Sequence, residues 1–160
     1  MNIKEIFEYN WYCRRKFLEG FEELPWEKVV KDRGASFGSL RNIFLHSVGA
    51  EQFWLRRLAR RRKAKRRVYD RDFKDLESMR EYVHEVEAEG RAYLSKLKPK
   101  DLDRIFAKRV IRVEDVLTHV VEEEIHHRGE LLCLMWQIDV EPPLKDWFDW
   151  ISETHTKTSR

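Results

Sequence analysis

Glu123 and His127 stand one helical turn apart in a row whose other members, Val116, Val120, Leu131 and Leu134, are apolar. Residues at i and i+4 of a helix point the same way, so a carboxylate and an imidazole interrupt what is otherwise a core stripe. Burying an unpaired charge is costly, and such a pair therefore needs a partner. His46 is a break of the same kind, in the row Ile43, His46, Ala50, Phe53. If these two segments face each other, His46, Glu123 and His127 form a set of two imidazoles and one carboxylate. Helical bundles build metal sites from facing helices in this way, and three protein ligands leave coordination positions open for water or a substrate. Each break also has a plainer reading. Glu–His pairs at i,i+4 occur on ordinary helices, and a single inward histidine is often a hydrogen-bonded core residue. The coincidence of two breaks strengthens the metal reading and leaves the plainer one open.

The other polar candidates are weaker. Glu122 and His126 share the i,i+4 spacing but belong to the row Asp115, His119, Glu122, His126, Gly129, which reads as solvated. His119 either supports the site or lies at the surface. His84 falls off the apolar stripe of its segment, beside Glu77 and Glu81, and reads as surface. Asn10 interrupts an inward row and reads as a structural hydrogen bond.

Four segments with helical apolar spacing must position these residues. The first spans about 3–20, with Ile3, Ile6, Phe7, Asn10, Cys13 and Phe17 on one face and Gly20 as its expected stop. Residues 24–34 read as a loop. The second runs to about 60 from an N-cap at Ser36 or Ser39. A basic and polar stretch to Lys74 reads as a long crossover. The third spans about 75–98 and ends before Pro99, and the fourth spans about 113–138 and ends before Pro142 and Pro143. The expectation is an all-α, up-down four-helix bundle with a core at about 3–138. Residues 139–160 form a tail in which 144–151 could make a short extra helix.

Composition agrees with one such domain over residues 1–160. The chain is 42% apolar and 38% charged, and Glu, Lys, Arg and Leu favour helix over strand. No segment approaches the ~18 apolar residues of a membrane span, and charges inside the N-terminal stretch exclude a signal peptide. Cys13 and Cys133 form no CxxC motif and read as reduced thiols, which suits a cytoplasmic protein. Net charge is +3, but nine of the twelve residues in 56–67 are Lys or Arg.

Several of these segments resemble the DinB-like family of bacterial four-helix-bundle proteins. The stretch HVVEEEIHHRGELLCLMWQ, with His126-His127-Arg128-Gly129 at its centre, is similar to that family's last core helix. FGSLRNIFLHSVGAEQFWL, with His46, Glu51 and Trp54, is similar to its second helix, and YNWYCRRKF to its first. The resemblance implies a divalent metal held by one residue of the second helix and two of the last, which here are His46, Glu123 and His127. Family members commonly use three histidines, so Glu123 is a departure. A carboxylate there still binds zinc, nickel, iron or manganese without strong selection. The resemblance offers Glu51, Arg128, Glu130 and His126 as residues that could orient the ligands, with Glu51 and Arg128 expected to pair across the bundle. It also implies a homodimer and an association with stress or damage responses. Relatives in the wider superfamily are thiol transferases, so the expected activity is a metal-dependent thiol transfer or a hydrolysis, with a low-molecular-weight thiol as possible cosubstrate and an unidentified small-molecule substrate.

Two other functions compete with that reading. In one, the metal merely staples a non-enzymatic bundle. In the other, Arg60, Arg61, Arg62, Lys63, Lys65, Arg66 and Arg67 neutralise nucleic-acid phosphates. No aromatic interleaving or recognition motif accompanies this basic run, and its plainer reading is a solvated helix end. No GxSxG, Ser/His/Asp order or phosphate-binding glycine loop is present.

Overall fold

A computed structural model describes residues 2–59, 73–143 and 146–155. Its helices begin where the sequence offers caps. Asn2 accepts from the Lys4 amide at the start of α1 (Ile3–Glu22). Ser39, rather than Ser36, accepts from the Asn42 amide at the start of α3 (Leu40–Leu58). Asp75 accepts from the Ser78 amide before α4 (Leu76–Lys96). The Asp115 carboxylate reaches back to the Arg112 amide before α6 (Val113–Trp136).

Two local expectations are corrected. Gly20 does not stop the first helix, because one further residue puts Phe21, fully buried, into the core, and the helix ends at Glu22 just ahead of Pro25. The segment 24–34 is not all loop. It contains a short helix, α2 (Trp26–Val30), anchored by the buried Val29. Between the last two long helices lie a single turn, α5 (Pro99–Leu102), and a small antiparallel hairpin of β1 (Ile105–Ala107) and β2 (Ile111–Arg112). Lys108 and Arg109, both at positive φ, make its turn. The tail does form a short helix, α7 (Trp147–His155). Its Trp150 packs against Tyr12 and Cys13 of α1, which is why α1 buries a wider face than one apolar stripe suggests.

The long helices collect their apolar side chains in two clusters. One joins Phe17 and Phe21 of α1, Ile43 and Phe44 of α3, Met79 and Val83 of α4, and Leu131 and Leu134 of α6. The other joins Phe7 and Trp11, Leu55 and Leu58, Leu94, and Val113 and Leu117. The residue order in the clusters sets the directions: α1 and α6 run one way, α3 and α4 the other. The bundle is therefore up-down-down-up. α1 packs on α4 and α6, and so does α3, which places α1 and α3 on a diagonal. α3 ends at the cluster opposite to the one where α4 begins, and the expected crossover falls between them. Residues 60–72 of that crossover lie outside the described residues.

Between the clusters sits a buried ionic centre. The Arg14 guanidinium donates through Nε (3.0 Å) and Nη2 to Glu124 of α6, and Nη2 lies 2.8 Å from Glu51 Oε2 of α3. The Trp11 indole also donates to Glu51, at 3.0 Å. The expected pairing of Glu51 with Arg128 does not occur. Glu51 is 0% exposed and held by α1, whereas Arg128 reaches Asn10 Oδ1 at 3.2 Å and lies over the Tyr9 ring. α4 approaches this centre through Gly90, where an added Cβ would stand 2.6 Å from Trp11 Cζ2 and 2.8 Å from Glu51 Oε1.

Two outcomes follow from this packing. Gly90→Ala gains helix propensity but collides with a buried ring, so a net destabilisation of about 1–3 kcal/mol is expected in chemical denaturation. Burial, opposed by Arg14 and reinforced by the Glu124 charge, raises the Glu51 carboxyl from 4.5 to about 7. The folded state then binds the proton more tightly than the unfolded chain. Its contribution to stability is complete below about pH 4.5 and is lost as pH rises through 7. Denaturation midpoints measured from pH 5 to 8 should fall more steeply for the wild type than for Glu51→Gln.

Candidate functional site

Helices α3 and α6 run antiparallel side by side, and this brings His46 opposite Glu123 and His127. His46 Nε2 lies 3.3 Å from Glu123 Oε2, and His127 Nε2 lies 3.6 Å from the same oxygen. One ligand atom from each of the three falls within 4.8 Å of the others, a group that could hold a metal ion. The donor chemistry fits. Ligands at about 2.1 Å in tetrahedral array stand roughly 3.4 Å apart, close to both measured separations. The two imidazoles are 8% and 6% exposed, while the Glu123 side chain keeps 28% of its surface.

Glu130 holds one of the three residues, His127. Its Oε2 lies 2.7 Å from His127 Nδ1. Burial pushes the Glu130 carboxyl up, but hydrogen bonds with His127 and Ser36 and the nearby imidazoles outweigh it and hold the group below the usual carboxylate range. A carboxylate accepts, so Nδ1 donates, and in the neutral ring Nε2 presents its lone pair toward Glu123. His126 is exposed and lies 3.4 Å from the other Glu130 oxygen. His126, His127 and Glu130 form a second group with ligand atoms within 4.8 Å. Of the four residues offered as orienting groups, Glu130 therefore touches His127 and His126 touches Glu130. Glu51 and Arg128 are engaged with α1 instead.

Phe37 was missed as a site residue. Its ring stacks on His46 with centroids 3.8 Å apart and planes at 20°, and it meets His127 edge-on at 5.5 Å. The loop that delivers it has Gly34, Ser36 and Gly38 at φ 71°, 44° and 86°. At Gly38 a Cβ would lie 2.9 Å from the Asp32 carboxylate. Glycine ahead of the Ser39 cap was the available signal for a tight, positioned loop. On the other side, a cleft of about 180 Å³ is bounded by His46, Ala50, Phe53, Trp54, His119 and Glu123. His119 is half-exposed, edge-on to Trp54, with Nε2 4.0 Å from Glu123 Oε1.

The remaining candidates stand apart. Arg60, Arg61, Arg62, Lys63, Lys65, Arg66 and Arg67 lie outside the described residues. Arg56 is paired with Glu85 and Glu89 of α4. His84 is exposed, as expected. Neither cysteine is in a disulfide, and burial pushes the Cys13 thiol up, which makes it a poor nucleophile. Among the described residues no helix is long and apolar enough to cross a membrane.

The chain matches the DinB family over residues 1–157. It is also similar to YizA, an uncharacterized protein of Bacillus subtilis (strain 168), at 22% identity over 145 residues, covering 88% of this chain and 90% of that one.

The Glu130 contact predicts the His127 tautomer. Long-range 15N–1H correlation spectra of the metal-free protein at about pH 8 should show His127 protonated on Nδ1. Glu130→Ala should remove that preference; an unchanged tautomer would show that Glu130 does not set it.

Proposed function

The chain belongs to the DinB family, and on that premise we propose that it is a divalent-metal enzyme whose ion is held by His46, Glu123 and His127. One observation carries the reading. His46 Nε2 and His127 Nε2, from two facing helices, converge on the same oxygen of Glu123 at 3.3 and 3.6 Å, so that one ligand atom of each lies within reach of a single ion. The donor set is borderline in softness and suits zinc, nickel, iron or manganese.

A divalent ion in this set supplies the charge that stabilises a thiolate or a hydroxide near neutral pH. The chain's own residues do the rest. Glu130 fixes the His127 ring and raises its basicity. Phe37 covers one face of His46 and keeps water from it. Glu123, partly solvated, presents its carboxylate to the cleft, where a substrate would arrive. The activity class is transfer of a low-molecular-weight thiol or hydrolysis of a small molecule. The cleft supports an enzyme over a metal used only as a staple, because it opens directly beside two of the ligands. The resemblance to the family extends the proposal to a single domain over residues 1–160, a homodimer and a cytoplasmic location.

Elemental analysis of untagged protein tests the site. About one divalent ion per chain is expected, lost in His127→Ala and Glu123→Ala, with about 10–100-fold weaker affinity in Glu130→Ala. Wild type and variants that stay equally empty after addition of zinc, nickel and manganese would reduce the three residues to a buried Glu–His hydrogen-bond network.

A further inference from the structure

His46, Ala50, Phe53 and Arg57 follow one another along α3 at spacings of four, three and four residues, so they share one face of the helix. The first three bound the cleft beside the cluster. Arg57 is exposed but does not extend freely. Helical side chains lean toward the N-terminus, and its guanidinium lies back over Phe53 (5.3 Å to the ring centroid) and Trp54 (6.0 Å), with Phe106 of β1 at 5.9 Å. Arg56, beside it in sequence, is taken up by Glu85 and Glu89. Among the described residues no carboxylate pairs with Arg57. The cleft therefore has a polarity. At one end stand two metal-ligand candidates, His46 and the anionic Glu123. Its walls are aromatic. Beyond Phe53 and Trp54 lies the Arg57 guanidinium, resting over those rings.

We infer that this cleft binds a small planar molecule with an aromatic or conjugated apolar body and one anionic group, oriented with the anion at Arg57. Each feature follows from a wall. At about 180 Å³ the space is below the roughly 300–1,000 Å³ of drug-sized sites and suits a single ring. Phe53 and Trp54 favour a flat apolar body in stacked or edge contact. In the metal-free cleft Glu123 repels an anion at the inner end, whereas Arg57 offers a forked, charge-assisted pair of hydrogen bonds to a carboxylate at the outer end. A guanidinium already lying on aromatic rings has lost part of its rotamer freedom, so less entropy is lost when it binds. The inference rests on the proposed metal site only for what would react at the inner end; the recognition of ring and anion does not require the ion.

Three isosteric probes test it on the intact protein: benzoate, benzamide and benzamidinium, titrated separately into metal-free and zinc-loaded protein. Binding is read from the Trp54 indole N–H signal, identified with Trp54→Phe. Benzoate should bind about tenfold more tightly than benzamide, benzamidinium most weakly, and the Trp54 signal should shift. Arg57→Gln should bring benzoate to the level of benzamide, Arg57→Lys should keep part of the preference, and Lys96→Gln, which removes one surface charge elsewhere, should leave it intact. Equal affinities for benzoate and benzamide in the wild type would overturn the inference. So would a preference that survives Arg57→Gln, or binding that leaves Trp54 unmoved. A protein that holds no metal in elemental analysis but keeps the Arg57-dependent preference would sink the metal reading and sustain this one. A metal-loaded protein without the preference would do the reverse.

Discussion

Arg14 places one guanidinium between two carboxylates, Glu51 of α3 and Glu124 of α6, where none of the three is more than slightly exposed. Removing Arg14 leaves two buried carboxylates without their shared cation, which is far more costly than a surface pair is beneficial. Such a centre is weak evidence for net stability, because desolvation offsets much of its attraction. Its structural consequence here is register. α3 and α6 can slide past each other only by letting go of the same Arg14. His46 lies five residues before Glu51 on α3, and Glu123 is the neighbour of Glu124 on α6. Holding Glu51 and Glu124 on one guanidinium thus sets the height at which His46 meets Glu123 and His127. Gly90 belongs to the same constraint, since it lets α4 close over Trp11 and Glu51 without a side chain between them.

The candidate metal centre and the ionic centre sit back to back and obey opposite rules. In the ionic centre the opposite charges face each other directly, and Trp11 adds a hydrogen bond to Glu51. Around His46, Glu123 and His127 the donors converge, and among the described residues no Lys or Arg forms an ion pair with Glu123. Adjacent carboxylates of α6 therefore serve different ends. Glu124 turns inward to Arg14. Glu123, displaced about 100° around the helix axis, faces α3 and keeps contact with water. Phe37 and the aromatic cleft divide the surroundings of His46 into a covered side and an open one, which gives the group a direction of approach.

Much of this was legible in the chain. Periodicity with a few capping residues located the four long helices, because a 3.6-residue stripe and a Ser or Asp ahead of it are local properties. Breaks in two of those stripes singled out His46, Glu123 and His127, because a polar residue in an apolar row signals a partner even when the partner is unseen. The resemblance to the family led to the same three positions. Arg14 and Glu124 escaped notice for a related reason. They fall just beside the stripes as drawn, and only the wide burial of α1 beneath α7 and α6 makes them interior.

What the sequence by itself determined is therefore the set of helices, their ends to within a few residues, and the residue types able to form a site. The tertiary structure decided which groups would meet across the bundle: Glu51 with Arg14 rather than Arg128, and Phe37 over His46. It also decided the up-down-down-up order of the helices. These are contacts between different segments of the chain. Spacing along one helix says which way a side chain points, but which neighbour stands there depends on how all the helices pack, and here that packing turns on one buried guanidinium and one glycine.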